Sequence, residues 1–128
     1  MGPAESANLI ARRNAIRAGV WVGWLAVVAV GAEIARPHGI PLLIVNAPTF
    51  IASGPNAERE YNSYYGRSFY DRYRRVLQEF CGTHAIPYLD LWNLVPPSEY
   101  SDTPGHYTPA GNARIARAVT ERLSELAR

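Results

Sequence analysis

The 128-residue sequence contains no lysine: all thirteen side-chain cations are arginine, set against eleven carboxylates for a formal charge of +2. So small a surplus gives no electrostatic footprint for nucleic acid, and no nucleic-acid partner is expected. Cysteine is nearly absent as well. The single Cys81 excludes an internal disulfide and a cysteine-rich metal site, and it leaves the redox compartment open. No His, Cys and carboxylate cluster has metal-ligand spacing, and no glycine-rich phosphate loop is present. Neither a metal nor a nucleotide cofactor is therefore indicated.

A full-length membrane-spanning run is also lacking. The apolar stretch Ala18 to Ala32 covers fifteen residues, whereas a transmembrane helix takes about 20. Arg12, Arg13 and Arg17 precede it and Val30-Gly31-Ala32 closes it, a pattern that also suits a signal peptide. Yet the stretch continues through Glu33 to Arg36 into Pro37-His38-Gly39, a helix stop, and then into Ile40 to Val45, which reads as a buried strand. A helix of an α/β core is the preferred reading. It favours a soluble protein, with secreted or membrane-proximal placement as the alternatives.

The length suits one domain, with residues 1–17 as an N-terminal helical extension. Two stretches resemble each other, Arg36-Pro-His38-Gly-Ile-Pro-Leu-Leu and Gly82-Thr-His84-Ala-Ile-Pro-Tyr-Leu. In both, a helix ends and His-x-Ile-Pro opens a short apolar strand. The 46-residue repeat, with a helix between, predicts a βαβ crossover and a parallel sheet. That helix should run from Arg67 to Cys81, with Phe69, Tyr73, Val76, Leu77 and Phe80 on one face and Gly82 as its cap. His38 and His84 read as turn residues. A long loop, Ala47 to Gly66, and an irregular one, Asn93 to Gly105, should leave the same edge of the sheet, where open α/β sheets bind ligands.

The second loop carries Asp102 and His106 immediately before a helix that Thr108 can cap and Pro109 can begin, with Ile115, Val119, Leu123 and Leu126 on its apolar face. A neutral imidazole is a general base near pH 7, and a neighbouring carboxylate fixes its tautomer. Ser53, beside Gly54, is the internal serine best placed as a nucleophile, although its flanks do not form a strand-turn-helix elbow. The segment Arg59 to Arg75 interleaves five tyrosines with five arginines. It reads as a core face plus a solvated face, with Asp71 pairing Arg74 or Arg75. Alternatively, Tyr64 and Tyr65, with Asn46 at the end of the first strand, contact a carbohydrate or acyl substrate. Asp90, beside Trp92, should bond local backbone N–H groups and shape the turn.

His106-Tyr-Thr-Pro-Ala-Gly-Asn, the preceding Asp102, Leu89-Asp90-Leu91 and Val45-Asn46-Ala47-Pro48 together resemble the SGNH or GDSL-type hydrolases, over roughly residues 20 to 127. Variants related to polysaccharide and cell-wall O-acetylation proteins are similar. The resemblance implies an α/β fold with a parallel sheet flanked by helices, flavodoxin-like in three layers and shortened at its N-terminal side. It further implies an esterase or O-acyl-transfer activity on acyl esters, including carbohydrate-linked ones, with His106 as base and Asp102 as its orienting acid. Two departures stand out. One extra residue separates Asp102 from His106, and no Gly-Asp-Ser nucleophile block precedes residue 40. The chain thus corresponds to the C-terminal half to two-thirds of that fold, with the remainder in a missing half or a partner chain. A non-catalytic binding or scaffolding module presenting the Tyr and Arg surface to a glycan or protein is the alternative.

Overall fold

A computed structural model of the chain describes residues 22–51 and 67–128. The chain divides into two units between Ile40 and Pro41. In the first, a helix (α1) occupies 22–35 and runs into a 3-10 turn at Arg36–His38. Pro37 cannot donate the N–H that would carry the helix on, and Gly39 takes a left-handed φ of 65° while its own N–H bonds to the Arg36 carbonyl at 3.1 Å. The Pro-His-Gly stop thus works as its residue types dictate. The helix is not buried all round, however. Ala32 and Ala35 are buried, whereas Val22, Trp24, Val27, Val30 and Ile34 are exposed. No helix among the described residues is long and apolar enough to cross a membrane. The extension over 1–17 lies outside the described residues.

The second unit holds strand β1 (Ile44–Asn46), helix α2 (Arg67–Thr83), strand β2 (Tyr88–Asp90), a 3-10 turn at Pro97–Glu99 and helix α3 (Pro109–Leu126). The strands pair in parallel, Ile44 opposite Tyr88 and Asn46 opposite Asp90, as the His-x-Ile-Pro repeat requires. α2 forms because Phe69, Tyr73, Leu77, Phe80 and Cys81 recur at helical spacing with no run of β-branched residues to oppose it. Its inner face, with Leu77 and Cys81 buried, meets a core completed by Ile86, Leu91, Trp92 and Val95. The helix runs one turn-fraction past the expected cap. Gly82 lies within it, and Ala85 instead takes the positive φ, at 52°. The His84 ring stacks on Phe80 with centroids 4.1 Å apart, as a turn residue closing the helix end.

The expected three-layer, flavodoxin-like sheet is not what forms. Among the described residues there is one sheet of two parallel strands, each of three residues, and helices supply most of the regular structure. The physical reason lies in strand supply. Among the described residues the two strands follow the two His-x-Ile-Pro turns, and the apolar stretch before the first of them is helical from residue 22 onward rather than extended. The first strand is shorter than expected and is not buried on both faces: Ile40 and Val45 are exposed, and only Asn46 of β1 is buried.

A left-handed backbone costs an L-residue roughly 1–2 kcal/mol, and part of that cost is recovered on substitution by glycine, less the entropy glycine adds to the unfolded chain. Ala85→Gly should therefore stabilise the protein by about 0.5–1 kcal/mol. A chemical denaturation midpoint raised at unchanged slope is the expected reading.

Candidate active site

The ends of the two strands are tied by one carboxylate. Asn46 donates from Nδ2 to Asp90 Oδ1 at 2.9 Å, and Arg74 of α2 donates from Nε and Nη2 to Asp90 Oδ2 at 3.0 and 2.7 Å. The Trp92 N–H donates to Asp90 Oδ1 at 3.1 Å, which is the local turn-shaping role expected of this residue. Arg74 also lies over the Trp92 ring, 5.5 Å from its centroid. Burial pushes the Asp90 carboxyl up, but the bonds from Asn46, Arg74 and Trp92 outweigh it and hold the group below its ordinary range. The helical pairing expected of Asp71 with Arg74 or Arg75 is replaced by a contact to Arg67 at 3.4 Å, because Arg74 is committed to Asp90. Asn46 is thereby held inside the fold by its amide.

Beyond the strands, the two loops meet at the same edge. The Phe50 N–H donates to the Pro104 carbonyl at 3.1 Å, and Tyr107 Oη donates to the Pro48 carbonyl at 2.6 Å. The Tyr100 ring packs edge to face on Phe50 and tilted on Tyr107, with centroids 5.5 and 5.4 Å apart. Tyr100 Oη is enclosed without a hydrogen-bond partner, and burial pushes its pKa up to about 12. Residues 101–106 form a small hairpin closed by the antiparallel bridge between Tyr100 and Tyr107, with the Ser101 N–H on the His106 carbonyl at 2.9 Å.

Within that hairpin His106 Nδ1 lies 2.9 Å from Asp102 Oδ1. The extra residue between them does not part them. It is taken up by a turn in which the His106 N–H bonds the Thr103 carbonyl at 3.2 Å. An ionised carboxylate only accepts, so Nδ1 carries the proton and the basic lone pair is on Nε2. The hydrogen bond from His106, helped by Ser101 Oγ at 2.9 Å, holds the Asp102 carboxyl below its ordinary range. Both side chains are exposed, at 65% for His106 and 74% for Asp102, so Nε2 is open to a reacting group from solvent.

The hairpin is anchored from behind by α3. Thr108 caps the helix by accepting from the Gly111 N–H at 3.3 Å, and Pro109 takes the first position. The Glu99 carbonyl receives both the Thr108 N–H at 2.9 Å and its hydroxyl at 3.2 Å, while the Glu99 carboxylate clasps Arg114 through two bonds. Gly111 sits where a Cβ would come within 2.9 Å of the Glu99 carbonyl oxygen. These contacts escaped sequence reasoning. Gly111 stands in the Pro-Ala-Gly-Asn run, but nothing local tells that its missing side chain is what lets α3 approach the 3-10 turn. Ser53, Tyr64 and Tyr65 lie outside the described residues. Among those described, no group of three His, Cys, Asp or Glu side chains has metal-holding geometry.

Two measurements test this scaffold. Gly111→Ala drives a methyl into a backbone oxygen and should cost about 1–3 kcal/mol of stability, whereas Gly82→Ala, with open space around it, should be neutral or stabilising by about 0.5–1 kcal/mol. Because Asp90 is held below its ordinary range, its contribution is full above the unfolded carboxylate pKa and is lost as pH falls through the lower folded value. Thermal melts at descending pH should therefore show a steeper acid loss in the wild type than in Asp90→Asn, which should itself be weaker at neutral pH by about 1–3 kcal/mol.

No family model matches the chain, and no curated protein matches it. Among solved structures it is similar to a Lactobacillus plantarum protein determined by the Northeast Structural Genomics consortium, with a TM-score of 0.59 and 20% identity over 82% of this chain. The match takes in 53% of that protein, so the chain spans about half of its length and shares its fold over that half.

Proposed function

We propose that the hairpin at 101–106 is the acid-base half of a serine-type ester hydrolase or O-acyl transferase of the SGNH kind. The observation that carries this reading is the 2.9 Å contact from His106 Nδ1 to Asp102, which leaves Nε2 as the base on an open surface. In this scheme Nε2 takes the proton of an attacking hydroxyl and returns it to the leaving alcohol, while Asp102 holds the tautomer and stabilises the imidazolium. The aromatic group of Phe50, Tyr100 and Tyr107 beside it suits the apolar part of an acyl ester. Ser101 is already engaged with Asp102, so it is not the nucleophile of this scheme. The nucleophile comes from Ser53 or from polypeptide outside this chain. A soluble domain is the setting proposed, in keeping with the lack of a membrane-crossing helix among the described residues.

Purified protein should hydrolyse a short-chain aryl ester, and His106→Ala should lower turnover by about 10²–10⁴-fold with the fold intact. Asp102→Asn should also lower it. Equal turnover in wild type and His106→Ala would sink the assignment, and no turnover in the wild type would favour a binding or scaffolding module instead.

A further inference from the structure

Two other side chains reach the Asp102 carboxylate among the described residues, and both reach the same oxygen: His106 Nδ1 and Ser101 Oγ each lie 2.9 Å from Oδ1. The Ser101 hydroxyl also lies 3.2 Å from the His106 carbonyl, but it has one proton to give. The carboxylate takes it, because that contact is shorter and its acceptor is charged. The His106 carbonyl is served instead by the Ser101 N–H at 2.9 Å. Ser101 thus holds both partners at once, the histidine through its backbone and the acid through its side chain. It is also the residue of the three nearest the anchored end of the hairpin. Tyr100, directly before it, is bridged to Tyr107, and both rings are half-buried. Asp102 and His106 are well exposed, and a surface ion pair by itself holds two side chains only weakly.

We propose that Ser101 is the positioning residue of this pair: its hydroxyl holds Asp102 in the rotamer that accepts from His106 Nδ1, and so sets the tautomer that leaves Nε2 unprotonated. A neutral imidazole carries one proton on either ring nitrogen, and the hydrogen bond made by one of them decides which. With Asp102 held against Nδ1, the proton stays there. With Asp102 swung into water, both nitrogens face solvent and that preference is lost. A second effect concerns the imidazolium. The Ser101 bond to Oδ1 favours the ionised carboxylate, so when Nε2 gains a proton the Nδ1 proton stays on the ring rather than passing to Asp102. The tautomer is a property of these three residues alone, whereas its use in catalysis rests on the hydrolase reading above.

Ring nitrogen chemical shifts of His106, taken by NMR on the 15N-labelled full chain at a pH where the ring is neutral, report the tautomer without any substrate. The wild type should show Nδ1 protonated and Nε2 bare. Ser101→Ala should move both shifts toward those of Asp102→Ala, in which the tautomer is free, and Ser101→Thr, which keeps the hydroxyl, should restore the wild-type pattern. With an aryl ester, Ser101→Ala should lower kcat by about tenfold, as expected for one hydrogen bond to a charged group, and leave KM unchanged because Ser101 touches no substrate. A wild type protonated at Nε2, wild-type shifts in Ser101→Ala, or a threonine variant that behaves like alanine would each overturn the proposal. The two readings fail separately. Wild-type turnover in His106→Ala sinks the hydrolase and leaves the tautomer result standing, while unchanged shifts in Ser101→Ala sink the role of Ser101 and leave the hydrolase standing.

Discussion

The carboxylate of Asp90 is the constraint on which the sheet and the helix above it depend. It is reached from three directions: by Asn46 at the end of β1, by Arg74 on α2 and by the backbone of Trp92 in the turn that follows β2. A two-strand parallel pair has little hydrogen bonding of its own, so a charge-assisted cross-strand tie counts for more here than in a broad sheet. The same carboxylate sets which way Arg74 points. That in turn leaves Asp71 to Arg67 and puts the guanidinium over Trp92, closing the core at the carboxyl end of the strands.

From that end the chain builds its candidate chemistry in layers of decreasing burial. Leu91, Trp92 and Val95 are buried, the Glu99 carbonyl and Gly111 are in close contact, the aromatic trio is half-buried, and Asp102 and His106 are on the surface. Each layer holds the next. The His106 hairpin has no core of its own and owes its position to the cap of α3 on one side and to the Pro48 and Phe50 loop on the other. Such a mount fixes an imidazole and its acid while leaving the basic nitrogen to whatever approaches.

Much of this was legible locally. The Pro-His-Gly stop, the Thr108-Pro109 start of α3, the helical face of α2 and the parallel relation implied by the His-x-Ile-Pro repeat each rest on the conformational preference of a few adjacent residues, and each stands in the structure. The pairing of Asp102 with His106 was also legible, because residues four apart in a bent loop are near neighbours whatever surrounds them. What was not legible depends on partners distant in sequence. The number of strands, the exposure of Val45, the tie from Arg74 to Asp90 across sixteen residues and the approach that makes Gly111 necessary are set by which elements meet.

The sequence by itself therefore determined the helices, the stop after α1 and the start of α3, the parallel relation of the two strands and the acid-imidazole pair, since backbone preference and short-range spacing are properties of a segment. Only the tertiary structure decided that the described residues form a sheet of two strands and that the Asn46 amide donates to Asp90. The reason is the same in both cases. A strand edge or a buried amide is satisfied by whatever the fold brings against it, and that partner is not written in the neighbouring residues.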